Sequence, residues 1–542
     1  MPNPMMIAAL GPLRAVVASC LLITAAAAAW ATSPPPGEKK DAGIAWIYAS
    51  GDAEVDAAFA RAKSENKPLF LYWGAKWCPP CNQVKATLFN RQQFIERSKA
   101  FVPIYIDGDQ PGAQKLGTRF KVRGYPTMVL FGADGSELTR LPGEVGANQY
   151  TEVLSLGMAA RRPIKAVLAD ARDPSRSRSV DAAEWRMLAF YSWATDERQL
   201  VSPTETSGLL KQLAANCPAD QRETSDRLLL QALAAAGGGQ PAKPAEQAVR
   251  QRVLKLLDDP RRSRAQTDLL GNQAAELVKA ISPPGSTGHQ QLLARFDASL
   301  ARLAADATLS RADRLTAQVA RVDLARLGLG PGAKPVIAQK TLQAMRQQVE
   351  RDNREITDGY ERQAVVTTGA HLLAHAGLMT DSDQLLKSNL DKSHSPYYLM
   401  SALAGNARKR GDHAEALRWY AQAHARADGT ATRLQWGASH LAALVDLSPQ
   451  DAASIEKVAR QIFSEAATQS DAFHERSGRS LQSVSNKLLN WVDMAADDQQ
   501  AEAVLARLRK QIDGICSQLP AADGARGVCQ GLLKPGGAGK TG

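Results

Sequence analysis

The sequence predicts two parts of different class: an α/β domain over residues 44–160, then a large all-α region over residues 165–535. Three observations carry this. Short apolar runs such as Pro68-Leu69-Phe70-Leu71-Tyr72-Trp73 alternate with helical patterns before residue 160, as strands and helices of one sheet domain do. Beyond residue 165 strand signals almost vanish and Ala, Leu, Arg and Gln dominate, with apolar residues three and four apart. Between a strand-like run and a helix-like run stands Trp77-Cys78-Pro79-Pro80-Cys81.

In the first part, Ile44-Ala45-Trp46-Ile47-Tyr48 reads as the opening strand. Asp52 to Glu65 reads as a helix, with Val55, Ala58, Phe59 and Ala62 near helical spacing. Pro68 to Trp73 is the next strand, and Asn82 to Leu88 a helix after the cysteines. Phe101 to Asp107 is a third strand and Leu116 to Val122 a short helix. Arg123-Gly124-Tyr125-Pro126-Thr127 leads into the strand Met128 to Phe131. Gly132-Ala133-Asp134-Gly135 is a hairpin turn, and Gln149 to Met158 the closing helix.

A Cys-x-x-Cys pair at a strand-to-helix junction suits thiol–disulfide exchange. The first sulfur sits at a helix N-terminus, where free N–H groups and the macrodipole favour its thiolate. The second lies one turn on, placed to close a disulfide or resolve a mixed one. A structural zinc needs four ligands, and the chain has no second such pair, so the sequence assigns no metal. Pro79 and Pro80 remove two N–H donors near the Cys78 sulfur. Fewer donors stabilise the thiolate less and lower the reduction potential, which favours a reductant; Lys76, a nearby cation, opposes this.

The ordered landmarks of residues 44–160 resemble the thioredoxin superfamily. The resemblance implies a central mixed sheet flanked by helices, with Cys78 as nucleophile, Cys81 as resolving thiol, and no cofactor beyond the Cys78–Cys81 disulfide. It implies that Pro126 follows a cis peptide bond and faces the sulfurs, laying the Tyr125 backbone open to an extended substrate. Trp77, Pro79, Pro80, Tyr125, Pro126 and Thr127 would then form the substrate groove. The chain departs from the family where a buried Asp and its partner Lys usually stand: Tyr72 and Pro103 occupy those positions, so the familiar proton relay is absent. The Lys-Pro-Leu-Phe-Leu-Tyr lead-in and long first helix look more like periplasmic reductase domains of the Dsb type than like cytosolic thioredoxin.

Residues 1–31 read as a secretory signal: Arg14, an apolar stretch, and an Ala29-Trp30-Ala31 cleavage site. Val17-Ala18-Ser19-Cys20 also resembles a lipoprotein box, and an uncleaved anchor is a further alternative. Residues 32–43 read as a linker and 536–542 as a flexible tail. No other stretch approaches the length of a membrane span. The expectation is a periplasmic protein, where disulfides persist. A reductase there requires a thiol reductant at the membrane. Of six cysteines, Cys516 and Cys529 are candidates for a structural disulfide, and Cys217, before Pro218, reads as a buried helix-end cysteine. The formal charge of +11 comes from scattered Lys and Arg without interleaved aromatics, which argues against nucleic acid as a partner.

Within the helical region Leu403-Ala404, Ala407, Gly411-Asp412, Ala416, Tyr420 and Ala423 sit at tetratricopeptide spacing, and Gly377 lies one 34-residue period before Gly411. Repeats of this kind, around 366–430, would hold a protein partner. His371 and His375 are four apart but lack a third ligand, and Asp107-Gly108-Asp109 is a fragment of a calcium loop without its later ligands. The expected function is a periplasmic disulfide reductase acting on protein thiols and disulfides, with client-binding helices. The alternatives are a thiol oxidase or isomerase, and a protein-binding scaffold with a vestigial or regulatory redox domain.

Overall fold

Five strands form one sheet in the order β1-β3-β2-β4-β5, where β1 is Ile47–Tyr48, β2 Leu69–Gly74, β3 Val102–Asp107, β4 Thr127–Phe131 and β5 Glu137–Leu141. β1, β3 and β2 run parallel; β4 and β5 join antiparallel, so the sheet is mixed. The computed structural model describes residues 43–534 except 197–198, 239–244, 331–332, 496–498 and 521–523. The expected signal 1–31 with its Cys20 box, nearly all of the linker 32–43 and the tail 536–542 lie outside the described residues.

β2, β3 and β4 are buried on both faces, which explains their continuous apolar runs. On one face Leu69, Leu71, Ile104 and Val129 pack on Val55, Ala58 and Ala62 of α1 (Asp52–Glu65). On the other, Phe70, Tyr72, Tyr105 and Met128 meet Val84 of α2 (Pro79–Val84), Phe94 of α3 (Gln92–Ser98), and, beyond α4 (Ala113–Arg119), Tyr150 and Leu154 of α5 (Ala147–Met158).

Several bounds differ from the sequence expectation. The first strand keeps only two residues, because the chain bends where Trp46 N–H donates to the Ile44 carbonyl; Ile44 and Trp46 bury their side chains without joining the ladder. The helix expected over 116–122 spans Ala113–Arg119. It starts at Gly112 and stops where Lys121 turns left-handed (φ 51°) and Val122 N–H caps Gly117. Val122 is apolar because it packs, not because it is helical. The helix expected from Asn82 starts at Pro79, since proline presets the first-turn φ, and continues as a π-turn over Lys85–Phe89.

After α5 the described chain is helical throughout. The core behind the sheet runs on into it: Tyr150 and Leu154 share one apolar cluster with Val167, Trp185, Leu188, Leu210 and Leu213. Later helices pair as hairpins, such as Pro396–Arg410 with His413–Arg426, turning at Gly411 in the left-handed region (φ 78°). The helical region then returns to the α/β domain. Gly359–His375 packs on α2, and Glu475–Met494 packs on α4. Among the described residues no helix is long and apolar enough to cross a membrane.

Candidate functional site

Cys78 is the N-cap of α2, held extended (φ −67°, ψ 116°) by the chain leaving β2, and Cys81 lies in the first turn. The two are disulfide-bonded, with Cα atoms 5.2 Å apart. Pro79 and Pro80 fill the first helical positions, so the N–H that reaches the Cys78 sulfur is that of Cys81, at 3.1 Å. Asn82 fixes the loop: its side-chain amide donates to the Lys76 and Cys78 carbonyls, both at 2.8 Å. The Tyr125–Pro126 bond is cis. Gly143 lies against the Pro126 ring, where an added Cβ would come within 3.1 Å of it. Trp77 and Tyr125 pack on the cluster of Ala75, Cys78 and Cys81, while the Thr127 hydroxyl donates to the Gly124 carbonyl.

Helical residues cover this end of the sheet. Trp77 stacks on Tyr398 (ring centroids 5.8 Å apart, 16° between planes) and meets the edge of Trp436 at 5.5 Å. Its indole N–H donates to Asp109 at 3.0 Å. The other Asp109 oxygen accepts from the Thr432 N–H at 3.0 Å, from its hydroxyl at 2.7 Å, and from Arg476. The Arg476 guanidinium lies 5.0 Å from the Trp77 ring and 5.1 Å from the Tyr125 ring. Burial raises the Tyr125 phenol above its ordinary pKa; Arg476 opposes this and Asp109 adds to it. Lys76 pairs with Asp428 at 3.2 Å, and His394 donates to the Lys76 carbonyl at 3.0 Å. Cys78 is left 1% exposed and Cys81 fully buried.

The structure thus brings Trp77 and Tyr125 against the cysteine pair, with Pro79 and Pro80 between the two sulfurs in sequence and Pro126 following Tyr125 through a cis bond. Cys516 and Cys529 are bonded to each other within a C-terminal core that also takes in Leu441 and Leu481. Cys217 is a free thiol at a helix C-cap, and burial pushes its pKa up to about 12. His371 and His375 lie with ring centroids 3.8 Å apart, and His375 Nδ1 faces Asp323 at 3.3 Å. Among the described residues no group of three or more His, Cys, Asp or Glu is arranged to hold a metal ion.

Sequence reasoning missed Tyr398, Trp436 and Arg476, and met Asp109 only as part of a calcium-loop fragment. A signal existed for two of them: in a chain only 6% aromatic, Tyr397-Tyr398 and Trp436 stand out in a polar helical region. Nothing in the sequence marked Asp109 and Arg476 as partners, since they stand 367 positions apart.

A family model described as a thioredoxin-like domain matches residues 55–157. The thiol:disulfide interchange protein DsbD of Pseudomonas fluorescens is 30% identical over 122 residues, 22% of this chain and 21% of its own length. The DsbD of Klebsiella pneumoniae is 30% identical over 124 residues, 22% of this chain and 20% of its own. The thioredoxin of Mycobacterium tuberculosis is 31% identical over 102 residues, 19% of this chain but 84% of its own. The chain therefore spans about a fifth of the DsbD relatives it matches, and the matched family model stops short of the helical region. A fold of this kind carrying a closed cysteine pair fits a redox role.

Proposed function

The chain belongs to the thioredoxin-like family through its α/β domain, and from that premise we propose that it is a periplasmic protein disulfide reductase. The observation that carries this is the Cys78–Cys81 bond at the start of α2, behind two prolines that leave Cys81 N–H as the donor to the Cys78 sulfur. In the reduced enzyme the Cys78 thiolate attacks one sulfur of a client disulfide. That bond breaks, a mixed disulfide forms, and the client's other sulfur leaves as a thiolate and takes a proton. The Cys81 thiol, once deprotonated, attacks the Cys78 sulfur of the mixed disulfide, and the client's second sulfur leaves as a thiolate and takes a proton. Two electrons have passed to the client, and the enzyme is left with the disulfide seen here. A membrane-associated dithiol would return the two electrons.

The periplasmic reading rests on the signal-like residues 1–31 and on the similarity to the DsbD thiol:disulfide interchange proteins. The helical region, with tetratricopeptide-like hairpins around 366–430, would hold the client or partner. Tyr125 and Pro126 would shape the approach to the sulfurs, with Trp77 shielding one side.

The test is the reduction potential of the Cys78–Cys81 couple, from equilibration of the mature chain against glutathione and dithiothreitol. The reductase reading expects a value near −270 mV or lower, the thioredoxin range. A value near −120 mV would make the protein a disulfide donor. Absence of any reversible couple would leave the helical region as a binding scaffold.

A further inference from the structure

Beside the two prolines that separate the cysteines lies a cavity of about 650 Å3. Pro79 and Pro80 line one side; most of the rest comes from four helices of the helical region, Arg311–Arg326, Gly359–His375, Pro396–Arg410 and Thr430–Leu447, with Asn272 and Ser382 added from two others. Many of its lining residues are small and uncharged, Thr316, Thr368, Ser401, Gly405 and Ser439 among them. Lys409 is the only Lys, Arg, Asp or Glu among the described residues that line it. Gln435 also lines it, and its side-chain oxygen is buried with no hydrogen-bond partner among the described residues. Tyr398 and Trp436, the rings that grip Trp77, form part of the same wall.

We propose that this cavity is the substrate site of the exchange reaction, and that the substrate is an extended, uncharged polypeptide segment presenting its cysteine, rather than the surface of a folded domain. The proposal rests on the reductase reading above and deepens it.

Access comes first. Tyr398 and Trp436 pack on Trp77, which itself packs on the cysteine pair, Thr432 and Arg476 close on Asp109, and Cys78 is 1% exposed. A folded partner needs roughly 800 Å2 of surface on each side for a stable interface. The covered face offers no such area, whereas a pocket of several hundred Å3 suits a slender ligand.

The lining chemistry agrees. Hydroxyl and amide side chains supply donors and acceptors for the main chain of an extended segment. The Gln435 oxygen requires a donor, and a peptide N–H is one. Small residues leave room for the segment's own side chains. A charged segment would enter without partners of opposite sign, apart from Lys409, and would lose hydration uncompensated.

The experiment uses the full mature chain, reduced and freed of reductant. Two probes carry the same mixed disulfide with glutathione: a linear Ser/Ala/Asn peptide with one cysteine, and a folded protein with one surface cysteine. The peptide is expected to react at least about tenfold faster. Gly405→Trp and Thr368→Trp fill the cavity from two different helices, and at Gly405 an added Cβ meets open space. Each variant, checked as folded by circular dichroism, should lower the peptide rate roughly tenfold or more. Equal rates for the two probes would overturn the proposal, as would an unchanged peptide rate in the folded variants. Should both variants unfold, the ratio of the two wild-type rates still decides. Failure of the wild type to exchange with glutathione itself would instead remove the reductase reading, a separate outcome.

Discussion

Asp109 is the residue on which the covered site turns. With Trp77, Thr432 and Arg476 as its partners, one carboxylate joins the redox loop to two helices more than 320 positions away. Arg476 and Asp109 are both buried, so removing one strands the other's charge without compensation. Arg476→Met should destabilise the fold by about 3–5 kcal/mol, whereas the Arg476→Met/Asp109→Leu pair should recover much of that loss in urea unfolding. Asp471 shows the pH sensitivity of the same contact. It accepts from the Gln114 N–H of α4 at 2.9 Å, yet burial outweighs that bond and its other backbone hydrogen bonds, and raises its pKa. A carboxyl raised on folding holds its proton more tightly in the folded state. Its contribution is therefore fully present below the unfolded value, about 3.9, and is lost as pH rises through the folded value. Asp471→Asn, which keeps an acceptor and removes the charge, should raise Tm at pH 7 and have little effect at pH 3, as read by calorimetry across that range.

Single elements show where the helix pattern misled and where it held. α1 coincides with the expected Asp52 to Glu65, because Val55, Ala58 and Ala62 bury one stripe of a helix on the sheet. α3 had no expectation, since its polar residues bury little beyond Phe94 and Ser98. Between the helices Gln499–Gln518 and Gly524–Gly531, the Cys516–Cys529 bond closes a short loop, with the two cysteines 13 positions apart. Loop-closure entropy for such a length corresponds to about 3 kcal/mol. The Cys516→Ser/Cys529→Ser variant should therefore lose protection from amide hydrogen exchange in these two helices first.

The whole molecule shares cores across its two parts. The apolar cluster behind the sheet continues from Tyr150 and Leu154 into Trp185, Leu188 and Leu213, so chain beyond α5 completes a face that would otherwise meet water. Arg140 of β5 adds a polar tie, donating to the Thr195 carbonyl at 3.2 Å while its own carbonyl accepts from Ser192 N–H at 3.1 Å. A fragment of residues 43–160 should consequently melt roughly 10 °C or more below a fragment of residues 43–238. Equal melting temperatures would show that the α/β domain is complete without the helices that follow it.

Much of the site was legible because its chemistry is local. A strand, two cysteines three apart, two prolines and a helix all lie within about twenty residues, and backbone geometry over that span follows from the residues themselves. The Tyr125–Pro126 turn was legible only by resemblance, through its order relative to that motif. What covers the sulfurs was decided by tertiary structure. Trp77 could have met solvent or any apolar surface; that it meets Tyr398, Trp436 and Arg476 depends on how a long run of helices curves back to the sheet. Helical periodicity says which stripe of each helix is buried but not which distant stripe it meets, since many apolar faces are nearly equivalent until all are packed at once.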